Sequence, residues 1–212
     1  MTTKQRFEHI LAWFAANMPV AESELVFANP FQCLIAVMLS AQCTDKRVNM
    51  VTPALFAAYP TPESLASASS DEVFEYIKSV SYPRSKAEHL VQMAQRLVET
   101  YDGIVPSTIE DLQTLQGVGR KTANVVRGNI FGIDSIVVDT HVKRISKKLG
   151  LTKEDDPVKI EFDLMKEVPK EHWILVNFQF IAFGRDICKA MRPECERCRL
   201  TKYCGYYKEK IR

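Results

Sequence analysis

The spacing of apolar residues is the feature that most limits the folds open to this chain of 212 residues. Phe7, Ile10 and Phe14 recur at intervals of three and four, and the same spacing returns between Leu90 and Val98. It places apolar side chains on one face of an α-helix, whereas the alternation typical of a half-buried strand does not recur. The sequence therefore predicts an all-α fold.

Capping residues mark where these helices begin and end. Asn29 followed by Pro30 predicts the start of an apolar helix, FQCLIAVML. Two capping boxes are predicted, Ser85 with Glu88 and Ser107 with Glu110. Glycines directly after periodic segments predict helix ends at Gly103, Gly132 and Gly150.

Composition and charge limit the class of protein. A hydrophobic content of 46% is ordinary for a globular protein with a core. The longest apolar run, residues 33–41, falls far short of the roughly 20 residues of a membrane-spanning helix, and the N-terminus lacks a signal-peptide core. We therefore expect a soluble cytoplasmic protein without a membrane partner.

Basic residues are concentrated in two blocks, although the net charge is only +2. Residues 120–148 contain seven Lys or Arg against two acids, and residues 185–212 contain nine against four. Two such blocks on an acidic body are typical of a phosphate-binding face, but solvated helix faces would give the same pattern.

Four of the six cysteines crowd into seventeen residues with the spacing C-x6-C-x2-C-x5-C: Cys188, Cys195, Cys198 and Cys204. Four thiolates this close indicate a bound metal, and their spacing alone fits tetrahedral zinc as well as an iron–sulfur cubane. Disulfides are disfavoured because no secretory signal is present.

Two glycines flank one apolar residue in Gly117-Val118-Gly119, between two predicted helices. A turn this tight packs helices closely and exposes backbone N–H groups, which at a helix N-terminus beside Arg120 and Lys121 suit a DNA phosphate. An ordinary helix–helix turn is the alternative for a bare GxG.

Lys121 and Asp139 have the chemistry of a nucleophile and its carboxylate partner. An unprotonated amine can attack C1′ of a deoxyribose and leave a Schiff base, and a neighbouring cation and a helix N-terminus favour that neutral form. Asp139 follows an apolar run and precedes a basic helix, so it could stabilise positive charge on the sugar or simply cap the helix.

Taken together, NPFQCLIAVMLSAQCTD, LQGVGRKTANVV, VVDTHVKR and the cysteine box resemble the endonuclease III family of DNA glycosylases over nearly the whole chain. The resemblance implies a two-lobed helix-hairpin-helix glycosylase fold. Residues 22–133 would form a six-helix barrel domain, and residues 1–21 with 134–212 an iron–sulfur cluster domain. DNA would lie across the cleft between the lobes.

The family resemblance also implies the activity. The protein would be a bifunctional DNA N-glycosylase and abasic-site lyase of base excision repair, acting through a Schiff base on Lys121 with Asp139 as carboxylate partner. Its partners would be double-stranded DNA containing oxidised pyrimidines, such as thymine glycol, or abasic sites. We expect a monomer that associates with the nucleoid through DNA.

Further roles follow from the same resemblance, residue by residue. The hairpin would grip the phosphate backbone and hold a monovalent cation. Gln42 would enter the base stack, Asp45 would line the base pocket, and Tyr82 would take the wedge position that is normally leucine. The remaining DNA contacts implied are Gly117, Val118, Gly119, Arg120, His141 and Arg144.

The four cysteines would hold a [4Fe–4S] cluster rather than zinc. Three departures from the family pattern are Cys43 in place of alanine, Gln116 in place of proline, and the loop of residues 80–84. One rival is a monofunctional adenine-removing glycosylase, which lacks the hairpin lysine. Another is a catalytically silent DNA-binding or electron-transfer protein that keeps the hairpin and cluster.

Overall fold

The structure is a computed structural model that describes residues 2–18 and 24–210, and all regular structure in those ranges is helical. The predicted all-α class is confirmed. The chain divides into two compact units, Ser23–Ile133 and the pair Met1–Glu22 with Asp134–Arg212. The predicted domain boundary at residues 21 and 22 lies outside the described residues. In the two described ranges, no helix has the length and apolarity needed to cross a bilayer.

The unit Ser23–Ile133 is built around one buried helix, α2 (Pro30–Ser40). Asn29 caps it as predicted, because its side chain accepts from the backbone N–H of Gln32 at 2.9 Å and Pro30 occupies the first turn. From Cys33 to Leu39 every side chain is buried. Full burial of a side chain such as leucine stabilises the fold by about 1.5–3 kcal/mol. The other helices of this unit are α3 (Asp45–Ala58), α4 (Pro62–Ala66), α5 (Ser70–Ile77), α6 (Pro83–Tyr101), α7 (Ile109–Leu112) and α8 (Arg120–Phe131), of which α3, α6 and α8 pack against α2.

Both predicted capping boxes in this unit are wrong about the residue that caps. Helix α6 begins at Pro83, two residues before Ser85, because a proline with fixed φ and no N–H readily occupies the first turn. Its N-cap is Tyr82, in the left-handed region at φ 55°, without a side-chain cap. Helix α7 is capped by Thr108, one residue after Ser107. The Thr108 hydroxyl accepts from the Asp111 N–H at 3.1 Å.

The second unit joins the N-terminal helix α1 (Thr3–Asn17) to the C-terminal part of the chain. The ring of Phe14 packs against those of Phe180 and Phe183, with centroids 5.1 and 5.4 Å apart. The Gln179 side chain also donates to the Met18 carbonyl at 3.0 Å. The other helices of this unit are α9 (Thr140–Leu149), α10 (Pro157–Glu167), α11 (Trp173–Asp186) and α12 (Gly205–Lys210), with 3₁₀ turns at Lys170–His172 and Thr201–Tyr203.

Candidate DNA-binding and active site

The hairpin between α7 and α8 is shaped by its first glycine. Gly117 has φ 78°, and a Cβ added there would lie 3.0 Å from Cβ of His89 and 3.1 Å from the Met38 methyl carbon. Gly119 is the N-cap of α8 and has no side chain to cap the first turn. Val118 is buried, and its N–H donates to the Leu115 carbonyl at 3.1 Å. The amide of Val118 is therefore used inside the turn.

Lys121 lies in the first turn of α8, where its side chain is exposed. It follows Arg120, which is half-buried, and precedes the buried pair Ala123 and Asn124. The positive end of the helix dipole lies at this turn, and its amide groups meet no side-chain cap. An exposed amine thus lies at a helix end whose first turn has no side-chain cap.

Asp139 is the N-cap of α9, as its sequence position predicts. Its Oδ1 accepts from the Val142 N–H at 2.8 Å, and the side chain is half-buried. Ile136 and Val137 before it are buried, so the apolar run anchors the residue at its helix start. The capping bond uses Oδ1, which is compatible with a second role for the carboxylate. Asp139 belongs to the unit that contains the C-terminal part of the chain, and Lys121 belongs to the other.

His141 and Arg144, the two predicted DNA contacts on α9, are engaged within their own unit. Arg144 Nη2 donates to the carbonyl of Cys188 at 3.0 Å and to that of Gly184 at 3.4 Å. It also lies 3.1 Å from His141 Nδ1, which accepts because a guanidinium can only donate. A Cβ at Gly184 would stand 2.5 Å from that nitrogen, so any larger residue would displace the His141 ring. Arg144 thereby ties α9 to the backbone of the first clustered cysteine.

A cavity of about 180 Å³ brings Gln42, Tyr82 and Gly117 together in the unit Ser23–Ile133. Gln42 and Tyr82 are both exposed, and both adopt the left-handed conformation that side chains rarely take, at φ 54° and 55°. The Ser81 hydroxyl donates to the Gln42 carbonyl at 2.6 Å and so joins the two loops. Asp45 lies nearby in sequence, half-buried in the first turn of α3.

Lys86, which sequence reasoning missed, also lines this cavity. Its side chain is 9% exposed, and its ammonium donates to the carbonyls of Leu39 and Ala41, both at 2.7 Å. Burial lowers the pKa of Lys86 below its ordinary value, while the Cys43 thiol opposes that shift. The sequence could have indicated this burial, because Lys86 lies on the apolar face of α6, four residues before the buried Leu90. A lysine in that register must find acceptors inside the protein.

The four clustered cysteines line one small apolar cavity in their unit, together with residues of α9, α11 and α12. Burial raises the pKa of Cys188, Cys198 and Cys204 above the ordinary thiol value. The Cys204 thiol donates to the Lys148 carbonyl at 3.2 Å. Soft thiolate ligands of this kind take zinc or iron–sulfur clusters. Within residues 2–18 and 24–210, no three His, Cys, Asp or Glu side chains are arranged to hold one metal ion.

Some of the charged side chains in the segment that carries the clustered cysteines form ion pairs with one another. Glu194 accepts from Lys189 and Arg197, and Arg197 also contacts Asp186 at 3.3 Å. These hydrogen bonds to Lys189 and Arg197 hold the pKa of Glu194 at about 2. Two basic side chains of this segment are therefore already matched by acids, whereas the exposed Arg192 has no ion pair with any acid of residues 2–18 or 24–210.

Comparison with known proteins gives a family. Residues 35–170 match the HhH-GPD superfamily of base excision DNA repair proteins. The chain is 46% identical to the endonuclease III of Synechocystis sp., covering 95% of this chain and 92% of that one, and 43% identical to that of Bacillus subtilis, covering 96% and 94%. A solved structure of a trapped endonuclease III–DNA covalent intermediate superposes with a TM-score of 0.92 at 44% identity, over the full length of both chains. The chain therefore belongs to the endonuclease III family of DNA glycosylases with abasic-site lyase activity.

Proposed function

We propose that the protein removes damaged bases from double-stranded DNA and cleaves the resulting abasic strand, with Lys121 as nucleophile and Asp139 as its carboxylate partner. The observation that carries this is the likeness to an endonuclease III trapped as a covalent intermediate with DNA. A covalent intermediate needs a nucleophilic side chain. Lys121 supplies an exposed amine at the N-terminus of the helix that follows the hairpin.

The reaction would proceed in two stages. Nζ of Lys121 attacks C1′, and the bond from C1′ to the base breaks with its electron pair leaving on the base. Nζ gives up a proton as the departing base gains one, and the C1′–O4′ bond breaks as the Nζ lone pair forms the C1′=N bond of a Schiff base, with a proton added to O4′. Loss of a C2′ proton then forms the C2′–C3′ double bond, breaks the C3′–O3′ bond to expel the 3′ phosphate, and cuts the strand. Positive charge develops on the sugar as the base departs, and the Asp139 carboxylate would stabilise it.

DNA would be held by backbone groups of the hairpin and by side chains of the Gln42 loop. The amides of Gly117 and Gly119, with Arg120, would bind phosphate, and the hairpin carbonyls would hold a monovalent cation. Val118 would contribute through packing, because its side chain is buried and its amide is already bonded.

Extrusion of the damaged nucleotide leaves a gap in the duplex that protein side chains must occupy. Gln42 would enter the stack, and Tyr82, exposed at the same cavity, would stack on a base of the opposite strand. Asp45 would line the pocket for the extruded base. His141 and Arg144 would contact DNA at the periphery of the protein–DNA interface, because Arg144 already binds two carbonyls.

A [4Fe–4S] cluster held by Cys188, Cys195, Cys198 and Cys204 is the cofactor we propose. The support is a set of four thiols lining one cavity, together with the likeness of the chain to the endonuclease III family, which implies this cluster. When bound, the cluster would act structurally by cross-linking the C-terminal loop. Arg192 and Arg199, both exposed, would then present positive charge to DNA.

Oxidised pyrimidines such as thymine glycol are the proposed substrates, along with abasic sites, and the protein would act as a monomer in the cytoplasm at the nucleoid. Borohydride trapping on duplexes carrying thymine glycol or an abasic site tests the mechanism. Wild-type protein should form a covalent complex with both duplexes, Lys121→Gln should form none, and Lys78→Gln should behave as wild type. Lys78 is an exposed lysine of the same unit that pairs with Glu75, so it is a matched control.

Three negative outcomes of this experiment have different meanings. A wild-type protein that releases thymine glycol without a trapped complex would be a monofunctional glycosylase. Normal trapping by Lys121→Gln would assign the nucleophile to another residue, and an absence of both base release and trapping would leave a silent DNA-binding protein.

A further inference from the structure

The loop that carries Gln42 is held in a conformation that its own sequence does not favour. Gln42 follows α2, is exposed, and has φ 54°. Residues other than glycine pay a strain cost in this region and keep it only when their surroundings enforce it. The contacts that enforce it should therefore decide where the Gln42 side chain points.

Three carbonyls at the end of α2 are bound by donors from one short segment, residues 81–86. Lys86 donates to Leu39 and Ala41, both at 2.7 Å, and Ser81 donates to Gln42 at 2.6 Å. The last carbonyls of a helix carry negative partial charge and lack partners within the helix. An ammonium ion is the strongest donor for them, and here it is nearly excluded from solvent.

We propose that Lys86 and Ser81 are positioning residues for base extrusion, which fix the carbonyls of residues 39, 41 and 42 so that Gln42 enters the gap left by the extruded nucleotide. The role rests on the proposed function, because it presumes a DNA duplex and an extruded base. Neither residue contacts the reacting atoms. Their effect passes through Gln42 alone.

A difference between two substrates separates this role from plain stabilisation of the fold. A damaged base must be unstacked and unpaired before C1′ is reached, whereas an abasic site has no base to extrude. Misplacing Gln42 should slow base release more than strand cleavage at a ready-made abasic site. Loss of folded protein would lower both rates equally.

The test is single-turnover kinetics of Lys86→Met and Ser81→Ala on duplexes with thymine glycol or an abasic site. Methionine keeps the length of the side chain but removes its donors. We expect base release by Lys86→Met to fall by about tenfold to a hundredfold, the range of a lost charge-assisted hydrogen bond, with abasic cleavage within about threefold of wild type. Ser81→Ala should also slow base release more than abasic cleavage, but by a smaller factor.

Two controls complete the experiment. Arg96→Met removes one positive charge from an exposed position of the same helix and should leave both rates unchanged. In a Gln42→Ala background, Lys86→Met should add little further loss of base release, because residues that act through one another are not additive.

Four outcomes would overturn the proposal. Equal losses on both substrates would reduce Lys86 to a structural residue, and additive losses with Gln42→Ala would remove the link between the two. If Lys86→Met does not fold, Ser81→Ala decides by the same criterion, and an unchanged substrate ratio refutes the role. A wild-type protein that neither releases base nor cleaves abasic DNA overturns the proposed function itself, and the positioning role with it.

Discussion

Replacing Gly117 by alanine should destabilise the hairpin for two separable reasons. At φ 78° an L-residue pays about 1–2 kcal/mol for the left-handed conformation. The added Cβ would also stand 3.0 Å from Cβ of His89 and 3.1 Å from the Met38 methyl carbon. The methionine end can move, but Cβ of His89 is fixed to the backbone of α6, so overpacking adds at least about 1 kcal/mol. We expect a loss of about 2–4 kcal/mol in the free energy of unfolding.

Two other glycines of the same unit allow these terms to be measured apart. Gly132 has φ 60° with nothing within 4 Å of an added Cβ, so alanine there pays the backbone cost alone. Gly119 has φ −86° and also has nothing within 4 Å of an added Cβ. Alanine there should cost under about 1 kcal/mol, because alanine is a weaker helix cap than glycine.

Thermal unfolding of the three variants provides the assay, since 1 kcal/mol corresponds to about 2–4 °C in Tm for a chain of this size. Gly117→Ala should lower Tm by on the order of 10 °C, Gly132→Ala by about 4 °C, and Gly119→Ala least. A loss for Gly117→Ala no larger than for Gly132→Ala would refute the contact with His89 and Met38 as a cause.

Three further predictions follow from the site. Asp139→Asn should lower base release by about a hundredfold or more yet leave Tm within about 2 °C, because asparagine caps a helix as well as aspartate does; a large fall in Tm would contradict this. Cys198→Ser should lose iron and thermal stability together, and a variant that retains both in an iron assay and a melting curve would disprove a structural cluster. Arg192→Gln should weaken DNA binding more than Arg197→Gln in a salt-dependent affinity measurement, since Arg197 is already paired with Glu194 and Asp186, and equal effects would count against that pairing in solution.

Local chemistry made much of the fold predictable. Asn29, Asp139 and Gly150 end or begin helices where the sequence predicts, because a cap needs only its own side chain or φ and the next few amides. The two capping boxes failed for the same local reason, since Pro83 competes with Ser85, and Thr108 competes with Ser107, for a helix start a residue or two away. Predictions of this kind identify a helix start correctly but can misplace the capping residue by one or two positions.

The roles proposed for Lys121, Asp139 and the four cysteines also came from the sequence, through its resemblance to the endonuclease III family, since residue type and spacing alone left a plain capping aspartate and a zinc site open. Contacts across the chain were decided by packing. The guanidinium of Arg144, whose role as a DNA contact stays a prediction, binds the carbonyls of residues 184 and 188, forty or more positions away. No local pattern encodes where a long side chain will find acceptors once helices assemble.

The sequence by itself therefore determined an all-α chain, several of its helix ends and its reactive residue types, because these follow from periodicity, capping and side-chain chemistry. The resemblance of its motifs indicated the family. Only the tertiary structure placed Lys86 under the Gln42 loop, joined Gln42 to Ser81, and gathered four cysteines around one cavity. A buried ammonium ion and a strained loop exist only where residues some forty-five positions apart meet, because burial and hydrogen-bond partners are properties of the packed core.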